Sequence, residues 1–357
     1  MLNNKKIIFL RSIHTTFGGA EVFLSRLTQA LTQKNIAFEI WHSSAPKFLP
    51  SWIKAWWFNF ETSFKKNWFK KNKNLFYFSL DRISSADIYR AGDGVHKAYL
   101  KTKNFSLNPL HISYLILEKL CFKNSQKIIA NSQKTKQEII KFYKINPEKI
   151  VIIPNGLLFS EIPINSLKNP EQALRIKDKI AQEFKINAQL PFILFVGSGF
   201  KRKGLGQFLK IIAQIKTPFH AFILGKEKNL NFYQKLAADL NISHQITFTG
   251  QRKDVADFYL ASRLFIYPPA YEPFSNVILE AMAHGCVAFT NDHNGAAEIL
   301  PPEFNLTQNP NSIFFINSLL ENPVLLSKAQ TLQCSIAQQY SIEKTADQTL
   351  DLILKNI

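Results

Sequence analysis

The chain is poor in the residues that build disulfide scaffolds, metal centres and membrane spans. Its 357 residues include three cysteines without any short spacing, which argues against a disulfide framework and a cysteine zinc site and suits a reducing cytoplasm. The first apolar run, Ile7–Leu10, is too short for a signal peptide. No later run approaches the roughly 18 to 20 apolar residues that cross a bilayer. Neither Asp-x-Asp nor His-x-x-x-His occurs, so we predict no metal.

Acidic residues are scarce in the first half of the chain. Residues 1–155 carry 25 Lys and Arg against 9 Asp and Glu, whereas residues 156–357 carry 19 against 17. A charge this uneven points to a polyanionic partner for the first half. The alternative is compositional drift, but drift would raise lysine in both halves. With 46% hydrophobic residues and 31 Phe, the chain can bury large cores, which excludes wholesale disorder.

An apolar run, a glycine turn and a helical pattern follow one another twice. This order opens a nucleotide-binding α/β unit, so we predict two such units. The first comprises residues 5–10, Gly18-Gly19 and residues 20–31, and the second comprises residues 191–196, Gly197, Gly199 and residues 205–215.

Further apolar runs predict strands that alternate with helical segments. They are residues 36–41, 127–130 and 151–153 in the first half, and residues 221–224, 245–249, 264–267 and 287–290 in the second. This alternation favours parallel sheets. The turn-forming run Pro154-Asn155-Gly156 marks the boundary, which predicts domains at residues 1–155 and 156–339. The terminal helix, residues 340–357, is a candidate to pack back onto the first domain.

Two glutamates with seven residues between them, Glu272 and Glu280, form the most specific motif. They follow a predicted strand, and a helix is expected to begin at Pro273 with Ser275 or Asn276 as its cap. Free backbone N–H groups at that helix start would suit a diphosphate. The expected N–H donors are Phe274, Ser275 and Asn276. The alternative is a pair of solvated acids beside a core helix.

On these motifs the sequence resembles the family 4 glycosyltransferases, retaining enzymes of the GT-B fold, over nearly its whole length. The resemblance implies an α/β protein of two Rossmann-like domains that face each other across a cleft. Within the family the chain is most similar to the lipopolysaccharide inner-core glucosyltransferases. The matching segments are Gly18–Glu21, Ile152–Gly156, Val196–Gly204, Glu272–Glu280 and Gly295–Ile299, with Tyr89–Asp93 and Leu224–Lys226 closest to the inner-core enzymes.

The resemblance implies roles for the charged residues of the second half. Glu272 matches the glutamate that hydrogen-bonds the donor sugar, and Glu280 matches the one that binds the nucleotide ribose. Lys203 and Arg202 match the basic pair on the diphosphate, with Lys203 at the more regular position. Because the leaving diphosphate gains charge, this pair is suited to stabilise it. Lys203, Arg202 and Glu272 are therefore the catalytic candidates, the alternative for the pair being an ordinary basic loop.

Other candidates would contact the donor or the acceptor. Gly18 and Gly19 would let the backbone approach a ligand closely, the alternative being a plain strand–helix turn. Asp93 and His96, expected on a loop, face the acceptor by resemblance, the alternative being an ordinary turn Asp and a surface His. The donor-binding set comprises Gly18, Gly19, Arg252, Phe274, Ser275, Asn276 and Glu280.

The chain departs from the family pattern at two places. Leu157 and Leu158 stand where an acidic residue is frequent, and Ser198 follows Gly197 where Arg is usual. The inner-core enzymes share the serine, and neither change removes a proposed phosphate ligand. Because no second well-placed acid supports a nucleophile pair, the resemblance implies front-face attack, with the leaving phosphate taking the acceptor proton.

The resemblance also implies the substrates. UDP-glucose is the leading donor and needs no cofactor, while UDP-galactose or an N-acetylhexosamine donor stays open. The acceptor is a lipopolysaccharide or lipooligosaccharide core, or another lipid-linked glycan. A sugar-nucleotide epimerase or a phosphorylase of the same fold is one alternative. A basic nucleic-acid-binding protein is another, but we expect no nucleic-acid partner because no zinc-finger or RNA-recognition signature occurs.

The segment Lys47–Lys73 interrupts the alternation. It contains seven lysines and one acid, Glu61, together with four of the five tryptophans. This mixture suits the headgroups of an anionic membrane, so we predict a cytoplasmic protein held peripherally at the inner face of the cell membrane. The alternative is that the tryptophans fill a core and the lysines form a solvated rim. The residues are Lys47, Lys54, Lys65, Lys66, Lys70, Lys71 and Lys73, with Trp52, Trp56, Trp57 and Trp68.

Overall fold

The computed structural model describes residues 6–12, 19–68, 74–103, 107–162, 167 and 169–356. The chain divides into two units by its contacts. Unit 1 combines residues 1–156 with residues 342–357, and unit 2 comprises residues 157–341. The chain thus leaves unit 1, completes unit 2 and returns to unit 1.

Short apolar runs form the strands of unit 1. These are β1 Lys6–Leu10, β2 Phe38–Trp41, β3 Leu75–Ser79, β4 Ile88–Ala91, β5 Lys127–Ala130 and β6 Ile150–Ile152. The described residues of unit 1 form a six-stranded sheet in the order β2-β1-β3-β4-β5-β6, with parallel neighbours. Its central strands are almost wholly buried, as expected for a parallel sheet covered on both faces.

Helices cover this sheet. They are α1 Gly19–Gln33, α2 Ser51–Trp68, α3 His96–Leu100, α4 Pro109–Asn124, α5 Gln133–Tyr143 and the late helix α14 Ile342–Asn356. Helix α14 packs against α1. The Thr345 hydroxyl also donates a hydrogen bond to the Pro154 carbonyl at 3.0 Å. Residues from both ends of the chain therefore build one core.

Helix α2 contains most of the segment predicted to bind membranes. Its buried residues are Phe58, Asn59 and Thr62. Trp52, Trp57 and Trp68 are exposed, so the alternative that the tryptophans fill the core is wrong for these three. Lys70, Lys71 and Lys73 lie outside the described residues.

Unit 2 repeats the parallel architecture. Its strands are β7 Phe192–Val196, β8 His220–Leu224, β9 Ile246–Gly250, β10 Leu264–Tyr267 and β11 Val287–Thr290. In the described part of unit 2 they form a five-stranded sheet in the order β11-β10-β7-β8-β9, again with parallel neighbours. The α/β fold with parallel sheets predicted from the alternation is confirmed.

The helices of unit 2 pack around a core rich in phenylalanine. They are α6 Pro170–Phe184, α7 Phe200–Lys203, α8 Leu205–Ile212, α9 Leu230–Asp239, α10 Val255–Ala261, α11 Asn276–Ala283, α12 Ser312–Glu321 and α13 Pro323–Ala337. Phe222 makes edge contacts with Phe192 and Phe258, with centroid distances of 5.0 and 5.3 Å. Among all helices that the structure describes, none is long and apolar enough to cross a membrane.

Candidate active site

The sheet of unit 2 reverses its strand order beside β7. The chain continues from β7 to β8 and β9 on one side and then places β10 on the other side. Ligands of open parallel sheets bind at the carboxyl ends of the strands beside such a reversal. Helix α7, which carries Arg202 and Lys203, follows β7, and Glu272 follows β10. The reversal therefore brings the predicted catalytic segments to one edge of the sheet.

Gly204 lets helix α7 approach the end of β10. Its φ is 83°, and an added Cβ would lie 1.8 Å from the carbonyl oxygen of Pro268. A left-handed backbone this close to another segment requires glycine. The backbone N–H of Ala270 also donates to the Arg202 carbonyl at 2.9 Å. These contacts fix the two loops against each other.

One carboxylate oxygen of Glu272 joins the predicted catalytic residues. Lys203 Nζ donates to Glu272 Oε2 at 2.6 Å, and Arg202 Nη1 donates to the same atom at 3.0 Å. The hydroxyl of Tyr267 donates to it at 3.3 Å. Lys203 and Glu272 are largely buried, whereas Arg202 is more exposed. We call Arg202, Lys203, Tyr267 and Glu272 the Glu272 cluster.

The groups around Lys203 hold its ammonium group in a position suited to bind an anion. Burial lowers the pKa of Lys203, the Glu272 carboxylate opposes this shift, and the nearby Arg202 adds to it. The ammonium nitrogen also lies 5.4 Å from the ring centroid of Tyr267. A cation held between a carboxylate and an aromatic face needs little reorganisation when charge develops beside it.

Glu280 lies in helix α11 among aromatic side chains. The hydroxyl of Tyr259 donates to Glu280 Oε2 at 3.2 Å, and the ring of His284 stacks on Tyr259 at a centroid distance of 5.4 Å. Burial raises the pKa of Glu280, although the Tyr259 hydrogen bond opposes this shift. The carboxylate is thus oriented by one donor and keeps acceptor capacity for another.

Helix α11 begins at Asn276, so the expected start at Pro273 is wrong. The backbone of Glu272 still pairs in extended form with the segment around Asn294. This pairing keeps the chain out of the helical conformation for the next residues. Ser275 is the N-cap, as predicted, but its side chain makes no capping hydrogen bond within the described part of the chain. Phe274 and Ser275 are buried.

Arg252 is bound by two carboxylates. Its guanidinium donates to Glu183 at 2.6 and 3.2 Å and to Asp254 at 2.8 and 2.6 Å. It also lies 5.3 Å from the ring centroid of Phe258. These hydrogen bonds raise the pKa of Arg252 and use most of its N–H groups.

The predicted acceptor residues lie in unit 1 and differ in their surroundings. Asp93 is exposed on a turn after β4, as expected. His96 is buried and begins helix α3, so its expected place on a loop or the surface is wrong. Its backbone N–H donates to Glu118 at 2.7 Å, and its Nε2 lies 3.1 Å from Nδ1 of His111. Burial lowers the pKa of His96 to about 4, and the positive charge of Arg82 adds to this shift.

The glycine loop is described in part. Gly19 begins helix α1, whereas Gly18 lies outside the described residues. Gly19 belongs to unit 1 with Asp93 and His96, and the other described candidates belong to unit 2.

The tyrosines that orient both glutamates were not among the predicted site residues. The hydroxyl of Tyr267 donates a hydrogen bond to Glu272, and that of Tyr259 donates one to Glu280. The signal for Tyr267 was its place at the carboxyl end of a predicted strand, where side chains meet a ligand edge. Tyr259 gave no signal, since its partner lies one helix further along the chain.

Metal-binding side chains do not cluster in the described ranges. No group of three or more His, Cys, Asp and Glu residues there is arranged to hold a metal ion. The three cysteines are buried. Metal independence of the activity stays a prediction.

Profiles of two protein families match the chain. Residues 176–325 match the glycosyl transferases group 1, and residues 90–157 match glycosyltransferase family 4. The first range contains the Glu272 cluster and Glu280, and the second contains Asp93 and His96. The matches therefore cover the candidate residues of both units except Gly18 and Gly19.

Two curated relatives and two solved structures extend this likeness. The N-acetylgalactosamine-N,N'-diacetylbacillosaminyl-diphospho-undecaprenol 4-alpha-N-acetylgalactosaminyltransferase of Campylobacter jejuni is 26% identical over 72% of this chain and 66% of its own length. The lipopolysaccharide glucosyltransferase WaaG of Escherichia coli is 24% identical over 62% of this chain and 59% of its own length. The alignments thus span less than two thirds of these relatives.

The structural matches cover nearly the whole chain. The crystal structure of WaaG superposes with a TM-score of 0.74 at 20% identity, covering 97% of this chain and 99% of that one. The Anabaena protein HepE, in complex with UDP-glucose, gives a TM-score of 0.72 at 17% identity, covering 98% and 99%. Profiles and fold agree, and the chain belongs to the family 4 glycosyltransferases with their GT-B fold.

Proposed function

We propose that this protein is a retaining glycosyltransferase that moves a hexose, foremost glucose from UDP-glucose, onto a lipopolysaccharide core or another lipid-linked glycan. The observation that carries the proposal is the Glu272 cluster beside the strand-order reversal of unit 2. The names of the relatives support the acceptor class, since they specify a diphospho-undecaprenol glycan and lipopolysaccharide. The UDP-glucose held by HepE supports the donor.

The chemistry requires stabilisation of a leaving group. The bond between the sugar's anomeric carbon and the diphosphate oxygen breaks, and its electron pair stays on the diphosphate. Lys203 and Arg202 then stabilise the added negative charge. The acceptor hydroxyl attacks from the same face and passes its proton to the leaving phosphate. Glu272 keeps both cations aligned and accepts hydrogen bonds from the sugar hydroxyls.

The nucleotide is assigned to neighbouring residues of unit 2. Glu280, oriented by Tyr259, accepts hydrogen bonds from the ribose hydroxyls. The backbone at Phe274, Ser275 and Asn276 binds the diphosphate together with the start of α11. Arg252, bound by Glu183 and Asp254, lines the nucleotide site with its remaining N–H capacity. Gly18 and Gly19 are assigned to the donor site, where they let the unit 1 backbone approach the ligand closely. Asp93 and His96 are assigned to binding of the acceptor.

The cell membrane is the proposed location, with the protein bound peripherally at the inner, cytoplasmic face. Helix α2 carries an exposed aromatic stripe of Phe60, Phe64 and Trp68, whose side chains stack at centroid distances of 6.3 and 6.0 Å. Aromatic side chains of this kind suit the headgroup region. Two of the lysines predicted to supply positive charge, Lys65 and Lys66, form ion pairs with Glu61 and Asp87.

A donor-hydrolysis screen tests the proposed reaction without a guess about the acceptor. The protein is incubated with UDP-glucose, UDP-galactose, UDP-N-acetylglucosamine and a GDP-sugar, with and without EDTA. We expect slow release of UDP and sugar, fastest from UDP-glucose and unchanged by EDTA, because basic residues replace a cation. Loss of hydrolysis with EDTA and its recovery with Mg²⁺ or Mn²⁺ would contradict metal independence.

The same screen separates the alternative enzymes. Conversion of UDP-glucose into another UDP-sugar favours an epimerase, and phosphate-dependent formation of a sugar phosphate favours a phosphorylase. Transfer to a lipid-linked glycan, with the product's anomeric configuration read by NMR, tests retention.

A further inference from the structure

A small cavity lies at the carboxyl ends of the unit 1 strands. The strand order of this sheet reverses between β1 and β3, and Arg11 and Leu80 directly follow these strands. The cavity has a volume of about 180 Å³, and its lining includes both residues with Arg90, Gly92 and Asn155. A reversal is where open parallel sheets bind ligands. Drug-sized ligands occupy about 300 Å³ or more, so this cavity suits one small group of a larger molecule.

Arg90 is buried, and no carboxylate of the described residues forms an ion pair with it. It is 5% exposed, its Nη2 donates to Asn155 Oδ1 at 2.9 Å, and its guanidinium lies 4.1 Å from the ring centroid of Phe23. Its Nε has no hydrogen-bond partner among the residues that the structure describes. In the part of the chain that the structure describes, Arg90 forms no ion pair. Gly92 leaves room for the guanidinium, since an added Cβ would lie 3.1 Å from Nη1.

Two other arginines of unit 1 have carboxylate partners, in contrast to Arg90. Arg82, which is largely buried, donates to Glu118 at 3.1 Å and stacks on Tyr114. Arg11 pairs with Glu21 at 2.6 Å and with Asp81 at 3.2 Å. Burial lowers the pKa of Arg90 to about 10, so it is still cationic at neutral pH. An unpaired cation inside a protein is costly and is expected to have a partner.

We propose that Arg90 binds an anionic group on the acceptor, a phosphate monoester or a sugar carboxylate, in this cavity beside Arg11. The assignment to an acceptor rests on the proposed transferase function. The guanidinium offers an N–H donor pair of the geometry that phosphate and carboxylate oxygens accept. The exposed carboxylate of Asp93, which also lines the cavity, repels such a group and limits its affinity.

Stability measurements test the unpaired state of Arg90. Arg90→Met is expected to melt at the wild-type temperature or above it, since it removes a buried charge that forms no ion pair with a described residue. The matched variant Arg82→Met is expected to melt lower, because Glu118 would lose its cationic partner inside the fold. A fall in Tm for Arg90→Met as large as that for Arg82→Met would show that Arg90 is structural and would overturn the proposal.

Anion titrations test the ligand. Glucose 6-phosphate, glucuronate and neutral glucose are titrated against the full-length protein, and the rise in Tm gives an apparent Kd. We expect the anionic sugars to stabilise the wild type and glucose to have no effect, with the stronger anion identifying phosphate or carboxylate. Arg90→Met should weaken this binding about 10- to 100-fold, the scale of a charge-assisted hydrogen bond. Asp93→Asn should tighten it, and Arg26→Met, which removes a charge elsewhere in unit 1, should leave it unchanged.

Three results of these titrations would also overturn the proposal. The first is equal stabilisation of wild type and Arg90→Met, and the second is no stabilisation of the wild type. The third is displacement of the sugar anion by UDP, which would assign the cavity to the donor. The hydrolysis screen on the wild type reports separately on the proposed function, so a hydrolysing enzyme without anion binding rejects this inference alone. Anion binding without hydrolysis rejects the transferase proposal and the assignment of the anion to an acceptor.

Discussion

Lys203, Arg202 and Tyr267 all donate to one oxygen atom of Glu272. Removal of any one of them changes the environment of the others, so their effects on catalysis will not add. Loss of Glu272 would leave two cations close together without a counter-ion. Lys203 therefore offers a cleaner test than Glu272, because its removal leaves Arg202 and Glu272 paired.

Replacement of Lys203 by alanine should lower kcat roughly 100- to 1000-fold, the scale seen when one preorganised charge stabiliser is lost. The adjacent Lys201 is exposed and provides the control, since Lys201→Ala removes the same charge outside the cluster. Steady-state kinetics with the hydrolysed donor measure both variants. A normal kcat in Lys203→Ala, with a lower Tm alone, would remove its phosphate role.

Glu280→Gln should separate stability from binding. Burial raises the pKa of Glu280 above its ordinary value of 4.5, so the group favours folding below about pH 4.5 and loses this contribution as the pH rises through the folded-state pKa. The glutamine variant lacks this titration, and its Tm should gain on the wild type between pH 4 and pH 8. Because glutamine is a weaker acceptor for ribose, UDP should bind roughly 10-fold less tightly.

Thermal melts across that pH range and calorimetric UDP titrations make the comparison. Tyr259→Phe serves as the control, since it keeps the carboxylate and removes its donor. A Tm difference that does not depend on pH would contradict the role of burial at Glu280.

The residue types of the candidate site could be predicted from the sequence, but their hydrogen-bond partners could not. The motif around Glu272 and its basic companions was visible because the residues stand at fixed positions beside a strand. The attachment of Arg252 to Glu183 was not visible, since 69 residues separate them. The loop position predicted for His96 was wrong because it rested on the nearby glycines. In the structure His96 begins a helix, where its backbone N–H donates to Glu118 and its ring contacts His111.

At the level of elements, apolar runs predicted nine of the eleven strands that the structure describes, and two were missed. Strands Lys127–Ala130, Leu264–Tyr267 and Val287–Thr290 have the predicted bounds. Strands β3 and β4 lie in the middle of the unit 1 sheet and were not predicted. Leu75–Ser79 follows directly on the lysine-rich segment, and β4 contains Arg90, whose charge hides the apolar pattern. Both segments form strands because they are buried in the middle of the sheet, and this tertiary environment cannot be read from the sequence.

Helix α2 should attach the protein to lipid through its aromatic stripe. Phe60, Phe64 and Trp68 are 73%, 56% and 74% exposed. Replacing all three by serine should abolish sedimentation with vesicles that contain phosphatidylglycerol, because it removes the apolar surface that enters the headgroup region. Donor hydrolysis in the absence of vesicles should stay normal.

Phe314→Ser is the matched control, since Phe314 is 76% exposed on helix α12 of unit 2. Sedimentation at low and high salt separates apolar from electrostatic attachment. Full vesicle binding by the triple serine variant would show that α2 is not the attachment site.

At the scale of the whole molecule, unit 1 is built from two stretches that are distant in sequence, so a mutation in the second stretch should destabilise the first. Leu350 of helix α14 is wholly buried, and α14 packs against α1. Leu350→Ala should lower the free energy of unfolding of unit 1 by about 2–5 kcal/mol. The half-exposed Leu352, replaced by alanine, should have a much smaller effect.

Hydrogen exchange with mass spectrometry resolves this change by region. Faster exchange in β1 and α1 with unchanged exchange in β7 and β8 is the expected result. An equal increase in exchange in both units would contradict the prediction, since it would mean that α14 stabilises unit 2 as much as unit 1.

The position of α14 also orders events during synthesis. The ribosome completes residues 157–341 before it makes the helix that covers α1, so unit 2 has all of its chain earlier than unit 1. Until then α1 lacks the helix that packs against it, and the unfinished unit 1 presents apolar surface to the cell. The amino-terminal half of the chain is thus the first to be made and the last to be finished, and it is the half for which a chaperone would have the longest time to bind.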